Sequence, residues 1–372
     1  MKTLIFRFIT TIKCLNHNKL LNFVVIISMM TGLFYSCALL GSVNYNFHNM
    51  KISTSLKNQD FILAEAIMQA ADEEEIASNL KNEVTNIQKT GVSAILIRIP
   101  AAIGNTTDLI NLQGLDNSIV NMTDWLMQGR PPTETELEEG APVALATVGF
   151  MQKYSLKPGD TISAYGKDLQ IIGSVINGNL IGTVFVPYKL LKEVSINNSV
   201  QYQLFIFGSK LEKDNIKNAI IKYYPDADIV DMRNSGEITS SNKSGFMMVM
   251  GISGVHSIIT LVLSIASTAI IVSGRLINDR KNMAIKLAHG SSVRNIIADS
   301  IFETFIFSVT AIIMDLILMY LIRGVLSNII TVLFSWHLVL YCLILAGVFS
   351  LMVGLISGII ATYFNVSDML RV

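Results

Sequence analysis

Three long stretches of this chain carry no Asp, Glu, Lys or Arg: from Lys19 to Lys51, from Lys243 to Arg275, and from Arg323 to Asp368. No other feature restricts the fold as much. A helix rises 1.5 Å per residue, so about 20 apolar residues cross a hydrocarbon core of about 30 Å. Within lipid each backbone N–H and C=O must find its partner inside the spanning element, which makes apolar runs of this length helices. Charged residues make up only 15% of the chain, against about a quarter in an ordinary soluble domain. Four spans are predicted, near 20–40, 246–272, 302–322 and 338–363, with Asp315 inside the third. The first is longer than a signal-peptide core and has no small-x-small exit.

The basic residues set the orientation. Lys2, Arg7, Lys13 and Lys19 precede the first span, and Arg275, Arg280, Lys281, Lys286 and Arg294 lie between the second and third. Between the third and fourth there is only Arg323. Excess positive charge stays on the cytoplasmic side, so both termini and the 275–300 loop are expected in the cytoplasm. The stretch from Asn44 to Ser244 is then outside, with 17 Lys/Arg against 23 Asp/Glu. The cysteines are Cys14, Cys37 and Cys342. None lies in that stretch, so its stability must come from an apolar core without disulfides.

The predicted organisation is residues 1–43 as an N-terminal helix and span one, 44–244 as the outside domain, and 245–372 as the remaining spans with the 275–300 loop. In the outside domain, ADEEEIASNLKNEVTNIQKT reads as a helix with Ile76, Leu80, Val84 and Ile87 on one face. Its acidic start suits the positive end of the helix dipole. GVSAILIRIP reads as a strand ended by Pro100, and LEKDNIKNAIIKYYP as a second amphipathic helix between VQYQLFIF and DADIVDM. LKPGDTISAYGKDLQIIGSV reads as two strands joined by a Tyr-Gly-Lys turn, and RPPTETELEEG as an exposed polar loop. The expected class is a membrane protein of four transmembrane helices, with a large α+β domain inserted between spans one and two. One α+β lobe is interrupted by a smaller β-rich one.

One segment, RKNMAIKLAHGSSVRNI (280–296), is amphipathic and lies between two spans. Met283, Ala284, Leu287 and Ala288 share a face, with Arg280, Lys281 and Lys286 around it. Gly290 suits a left-handed helix end, and Ser291 or Ser292 the cap of a following helix. The pattern alone also fits a helix lying on anionic lipid.

Two sets of residues carry a resemblance. The ordered series TDWLMQGRPPTETE, APVALATVGFMQKYSLKPGDTI, GKDLQIIGSV and GTVFVPYKLL resembles the periplasmic core domain of MacB-like ABC transporter permeases. RKNMAIKLAHGSSVRNI followed by Glu303 is similar to the signature of the FtsX-type domain. The entry to span one and the tail NVSDMLRV are similar to that family too. Asn282 stands where many members have Glu, and Val366 near the place of a common Pro.

The resemblance implies a type VII permease working by mechanotransmission, with ATP and Mg bound by a partner ATPase. It casts Arg280, Met283, Ile285, Leu287, Gly290, Ser291, Val293 and Ile296 as the residues that couple to that ATPase. It further implies a second permease, identical or paralogous, and in efflux systems a membrane-fusion or accessory protein. The expected setting is the bacterial cytoplasmic membrane, and the expected cargo a peptide, an antibiotic or a lipid-linked molecule. An FtsX-like regulator of a cell-wall hydrolase, or a membrane-anchored sensing module, is the alternative.

No G-x-x-x-x-G-K-[ST] occurs in the chain, so ATP hydrolysis is expected on another subunit. His17, His48, His256, His289 and His337 have no metal-ligand spacing, and no catalytic constellation is apparent. No cofactor and no nucleic-acid partner are expected on this chain. Asp315 and His256 are the polar residues placed within spans. An intramembrane acid is costly and faces protein or water, so Asp315 reads either as part of a substrate or proton path or as a structural group. Gly354 and Gly358 form a small-xxx-small pair suited to close helix packing.

Overall fold

The computed structural model describes residues 19–55, 60–69, 71–120, 125–176, 180–195, 199–278, 283–285, 287 and 289–362. The chain divides into two compact units, one formed by Met1–Asn44, Val249–Arg323 and Val332–Val372 and the other by Tyr45–Met248 and Gly324–Thr331.

Four helices of the described residues are long and apolar enough to cross a membrane. They are α1 (Lys19–Ser55), α8 (Ser235–Asn278), α9 (Val293–Leu321) and α11 (Trp336–Thr362). At 37 and 44 residues, α1 and α8 are about 55 and 66 Å long, well beyond what a bilayer requires.

Within the membrane unit the helices pair through small and hydroxyl residues, because lipid supplies no hydrophobic drive between helices. Ser28 Oγ lies 3.3 Å from Thr268 Oγ1, and Ser36 Oγ lies 3.1 Å from Ser257 Oγ, joining α1 to α8. Gly32 sits between those two bridges, where a Cβ would overlap the side chain of Ser264. On the other pair, Thr304 Oγ1 donates to Ser350 O (3.1 Å) and Ser308 Oγ to Ala346 O (3.3 Å). Gly354 and Gly358 let α11 approach Ile301 and Ile297 of α9, so the small-xxx-small pair serves packing within the subunit.

The outer unit is built on one mixed sheet of ten strands, ordered β10-β1-β9-β2-β3-β8-β5-β7-β4, with β6 pairing β2 and β7. In chain order these are β1 Phe61–Gln69, β2 Ile87–Ile103, β3 Thr106–Leu115, β4 Leu126–Gly129 and β5 Val143–Thr147. They continue with β6 Thr161–Ala164, β7 Lys167–Val175, β8 Val184–Pro187, β9 Ser199–Gly208 and β10 Asp228–Asn234. Its helices are α2 (Glu73–Glu83), α3 (Asn117–Val120), α4 (Glu134–Glu139), α5 (Val148–Tyr154), α6 (Tyr188–Ser195) and α7 (Lys213–Tyr223). A further turn, α10 (Arg323–Leu326), follows α9. The 324–331 segment closes onto α5: a Cβ on Gly324 would lie 3.1 Å from Lys153 O, and one on Gly149 2.9 Å from Thr331 Oγ1.

Alternation along the strands feeds two cores. Ile62, Ala64, Tyr202, Leu204 and Ile206 face one side, with Ile76 and Leu80 of α2 and Ile216 and Ile220 of α7. Phe61, Leu63, Phe205 and Phe207 face the other, with Trp125 and Leu137. Phe61 lies opposite Phe207 in register, with ring centroids 5.4 Å apart. A polar line runs along this second face. Gln113 Nε2 donates to Ser93 Oγ (2.6 Å) and Gln203 Oε1 (2.9 Å), and its Oε1 accepts from Gly182 N–H (2.7 Å). Gln203 Nε2 donates to Glu65 Oε1 (3.1 Å), which also receives Arg233 from β10 (3.3 Å).

Several sequence expectations change. The predicted helix face ending in Val84 and Ile87 breaks earlier: α2 stops at Glu83, Val84 is extended, and Asn86 turns with φ +75°. Ile87 opens β2, and both residues still enter the same core. Pro100 does not end its strand. There β2 has left β9 (last pair Ile95 with Gln201) and not yet met β6 (first pair Ala101 with Ala164). A strand partnered on one side tolerates a missing N–H. The stretch expected to be a polar loop contains α4, held by a capping box between Thr133 and Glu136. The two lobes share one sheet, because the 17-residue β2 passes a bulge between Leu96 and Ile99 and serves both.

Candidate coupling site

The segment between α8 and α9 begins from Arg275, one turn before α8 ends. Its side chain is 6% exposed and is paired with Glu303 of α9. Its guanidinium also sits over the ring of Phe307, 5.3 Å from the centroid. Beyond it, Met283 and Ile296 are buried against each other, with Leu276 and Leu287 packed on them, and Ala284 is fully covered. The predicted apolar face is therefore turned inward, onto the first turns of α9.

The turn closes through His289 N–H to Ile285 O and Gly290 N–H to Leu287 O, both 3.0 Å. Gly290 has φ +86°, the left-handed conformation that ends a helix at little cost only for glycine. Ser292 occupies the N-cap position of α9, but its hydroxyl makes no cap bond. Asn295 N–H instead donates to the Ser292 carbonyl at 2.9 Å.

The eight residues expected to couple thus fall into two groups. Met283, Leu287 and Ile296 hold the segment to the membrane unit, whereas Ile285 and Val293 are each 45% exposed. Gly290 is exposed between them, Ser291 is half-buried, and Arg280 lies outside the described residues. The resulting surface is a tight turn flanked by two outward apolar side chains, with Arg294 also exposed.

Asp315 and His256 are not joined. Asp315 is fully buried in α9, and neither of its carboxyl oxygens has a hydrogen-bond partner. It lies near Cys37 of α1 and Cys342 of α11, whose thiols hydrogen-bond each other. His256 is exposed on α8 and stacks edge-on against Tyr35, with centroids 5.0 Å apart. Among the described residues no group of three or more His, Cys, Asp or Glu side chains is placed to hold a metal.

On the outer unit, an open cleft of about 280 Å³ is lined by Glu73, Asp116, Glu138, Tyr188 and Lys189 among others. Asp116 accepts from Val92 N–H (2.9 Å) and Ile119 N–H (2.8 Å), and burial pushes its carboxyl up to about 6. Burial also raises Glu73.

Residues 23–235, more than half of the chain, match the family described as the MacB-like periplasmic core domain. The chain belongs to the MacB-like ABC transporter permeases. Solved structures similar to this permease include the extracellular domain of the noncanonic ABC-type transporter YknZ from Gram-positive bacteria. It is 18% identical, with TM-score 0.35, over 45% of this chain and 100% of that one. The periplasmic region of MacB from Actinobacillus actinomycetemcomitans is 15% identical, with TM-score 0.36, over 48% and 92%. A domain of a putative permease from Porphyromonas gingivalis is 10% identical, with TM-score 0.32, over 47% and 86%. No curated protein matches the chain. As a MacB-like permease it is a multi-pass membrane protein with an extracytoplasmic domain, and its family implies an ABC ATPase partner.

Proposed function

We propose that this permease converts ATP hydrolysis by a separate ATPase subunit, docked on the cytoplasmic turn at 283–293, into movement of its extracytoplasmic domain. The observation that carries this reading is the division of the segment. Met283, Leu287 and Ile296 anchor it, while Ile285 and Val293 face outward beside Gly290. A loop meant only for lipid would turn its apolar face to the bilayer, whereas here that face is spent on the subunit's own helices. What remains exposed among the described residues is a small apolar-and-basic surface suited to a groove on a protein partner. The ATPase would bring ATP and Mg, and this chain would supply the lever. With two permeases per complex, and both termini cytoplasmic, the work appears on the outer face of the cell membrane. There the cargo, a peptide, antibiotic or lipid-linked molecule, is gripped by the outer domain, directly or with an accessory protein.

Nucleotide state can shift the outer domain only if its two arrangements bind the ATPase states with different free energies. The test is affinity purification of the native chain and of Ile285→Glu/Val293→Glu from detergent extracts of the source cells. An ABC ATPase co-purifying with the native chain, and lost from the variant, is the expected result. Equal retention on both, or absence from both, contradicts the docking assignment.

A further inference from the structure

We propose that Arg275 and Glu303 form a buried clasp that positions the docking segment, so that force applied at 283–293 reaches α8 instead of being absorbed in the loop. This rests on the reading of that segment as the ATPase contact, and it adds two positioning residues that do not themselves touch the partner.

Arg275 is three residues before the end of α8, and Glu303 is ten residues into α9. A rise of 1.5 Å per residue puts Glu303 about 15 Å along α9 from its first residue. The first turns of α9 therefore extend past the end of α8, and Met283 and Leu287 pack beside them with Ile296 and Leu276. Above that small apolar cluster, the clasp is the polar tie in this region whose cation is almost completely covered, at 6% side-chain exposure against 18% for Glu303.

The chemistry favours a fixed geometry. A guanidinium held between a carboxylate and an aromatic face has its plane set by both partners, which a lysine ammonium would not. Phe307 stands one helical turn beyond Glu303, so one face of α9 supplies both the counter-charge and the ring. An ion pair this buried contributes less through net stability than through the penalty for parting it, since either charge alone would be left in a poorly solvated site. That makes it a device for holding register. Among the described residues the cluster beneath it has four apolar side chains, whose non-directional contacts do not fix register as an ion pair does. With the clasp closed, the end of α8, the docking segment and the start of α9 move together. With it open, α8 and α9 lose the polar tie that joins them beside Met283 and Leu287.

The test uses the full-length chain in nanodiscs, alone and with its ATPase, in four forms: native, Arg275→Gln, Glu303→Gln, and the reciprocal Arg275→Glu/Glu303→Arg. Amide exchange at 283–287 in the chain alone reads the clasp without any partner. Each single variant is expected to speed that exchange about tenfold or more, and the reciprocal pair to recover most of the protection. In the complex, the singles are expected to keep the ATPase bound but to lose most of the nucleotide-dependent exchange change in the outer domain. Native-like exchange at 283–287 in both singles overturns the clasp. So does a reciprocal pair that inserts and purifies like the native chain yet shows no recovery. If the native chain binds no ATPase, the docking reading fails, while the exchange at 283–287 still decides the clasp.

Discussion

Gln113 Nε2 meets Gln203 Oε1 at 2.9 Å on neighbouring-but-one strands, in a fully buried part of the sheet. Through Gln203 and Glu65 the line reaches Arg233 on β10, and Asn234 leads directly into α8. Gln113→Leu removes the acceptor of Gly182 N–H and the donor to both Ser93 and Gln203. Leaving buried polar groups without partners costs about 1–3 kcal/mol each, so a loss of about 2–4 kcal/mol is expected. Thermal unfolding of the purified chain checks this, and an unchanged midpoint would mean that water replaces the amide.

Asp116 gives the outer domain a pH dependence of defined sign. Its folded value near 6, raised by burial, lies above the ordinary carboxylate value of about 3.9. Ionisation therefore opposes folding: the penalty is complete above pH 6, shrinks as pH falls, and is gone below about pH 4. Between pH 7 and pH 5 the native chain is expected to gain midpoint temperature relative to Asp116→Asn. Parallel pH profiles for the two would refute the assignment.

At Gly354 a Cβ would lie 2.5 Å from Ile301 Cα, a backbone atom that cannot move without its helix. Gly354→Val is expected to push α11 from α9, weakening the Thr304–Ser350 and Ser300–Ser357 contacts, at about 1–3 kcal/mol. Gly347 has no neighbour within 4 Å of its would-be Cβ. Gly347→Ala should therefore be neutral or slightly stabilising, because Ala is the better helix former. Melting curves of the two in detergent make the comparison.

Asp315 has neither exposure nor a hydrogen-bond partner for its carboxyl. Asp315→Val removes the polar group from an apolar site with only a small change in side-chain volume. It is expected to raise the unfolding midpoint by an amount equivalent to about 2–3 kcal/mol, the usual cost of an acid at mid-membrane. A lower midpoint would show that the carboxyl contributes a stabilising bond in the membrane.

Much of this architecture was readable from residues alone, for identifiable reasons. A membrane span is announced by composition over some 20 positions, so the charge-free runs located α1, α8 and α11, and apolar content located α9 despite Asp315. The lengths of α1 and α8 were not readable, since past Asn44 and before Phe246 their sequences turn polar while the helix continues. Val84 and Ile87 kept helical spacing although α2 ends at Glu83 and the chain turns at Asn86 between them, because burial in one core leaves the same apolar trace in a strand as in a helix. Thr133-x-x-Glu136 did carry a legible signal, the capping box, masked by the two prolines before it. At the coupling segment periodicity put Met283, Ala284 and Leu287 on one face, but that the face turns onto α9 and not toward a partner was not legible, because it depends on the packing of the following helix. The Arg275–Glu303 clasp and the grouping of Asp315 with Cys37 and Cys342 depend on how helices distant in sequence are rotated against one another, and no local pattern records that.

Amide exchange of the outer domain in the reconstituted permease–ATPase complex, compared between ATP-trapped and nucleotide-free states, reads the transmission of nucleotide state across the membrane. Nucleotide bound in the cytoplasm is predicted to change protection along β1 and β10, the strands that follow α1 and precede α8. Exchange that stays identical in those strands, while the complex hydrolyses ATP at its full rate, would show that hydrolysis does not move the outer domain.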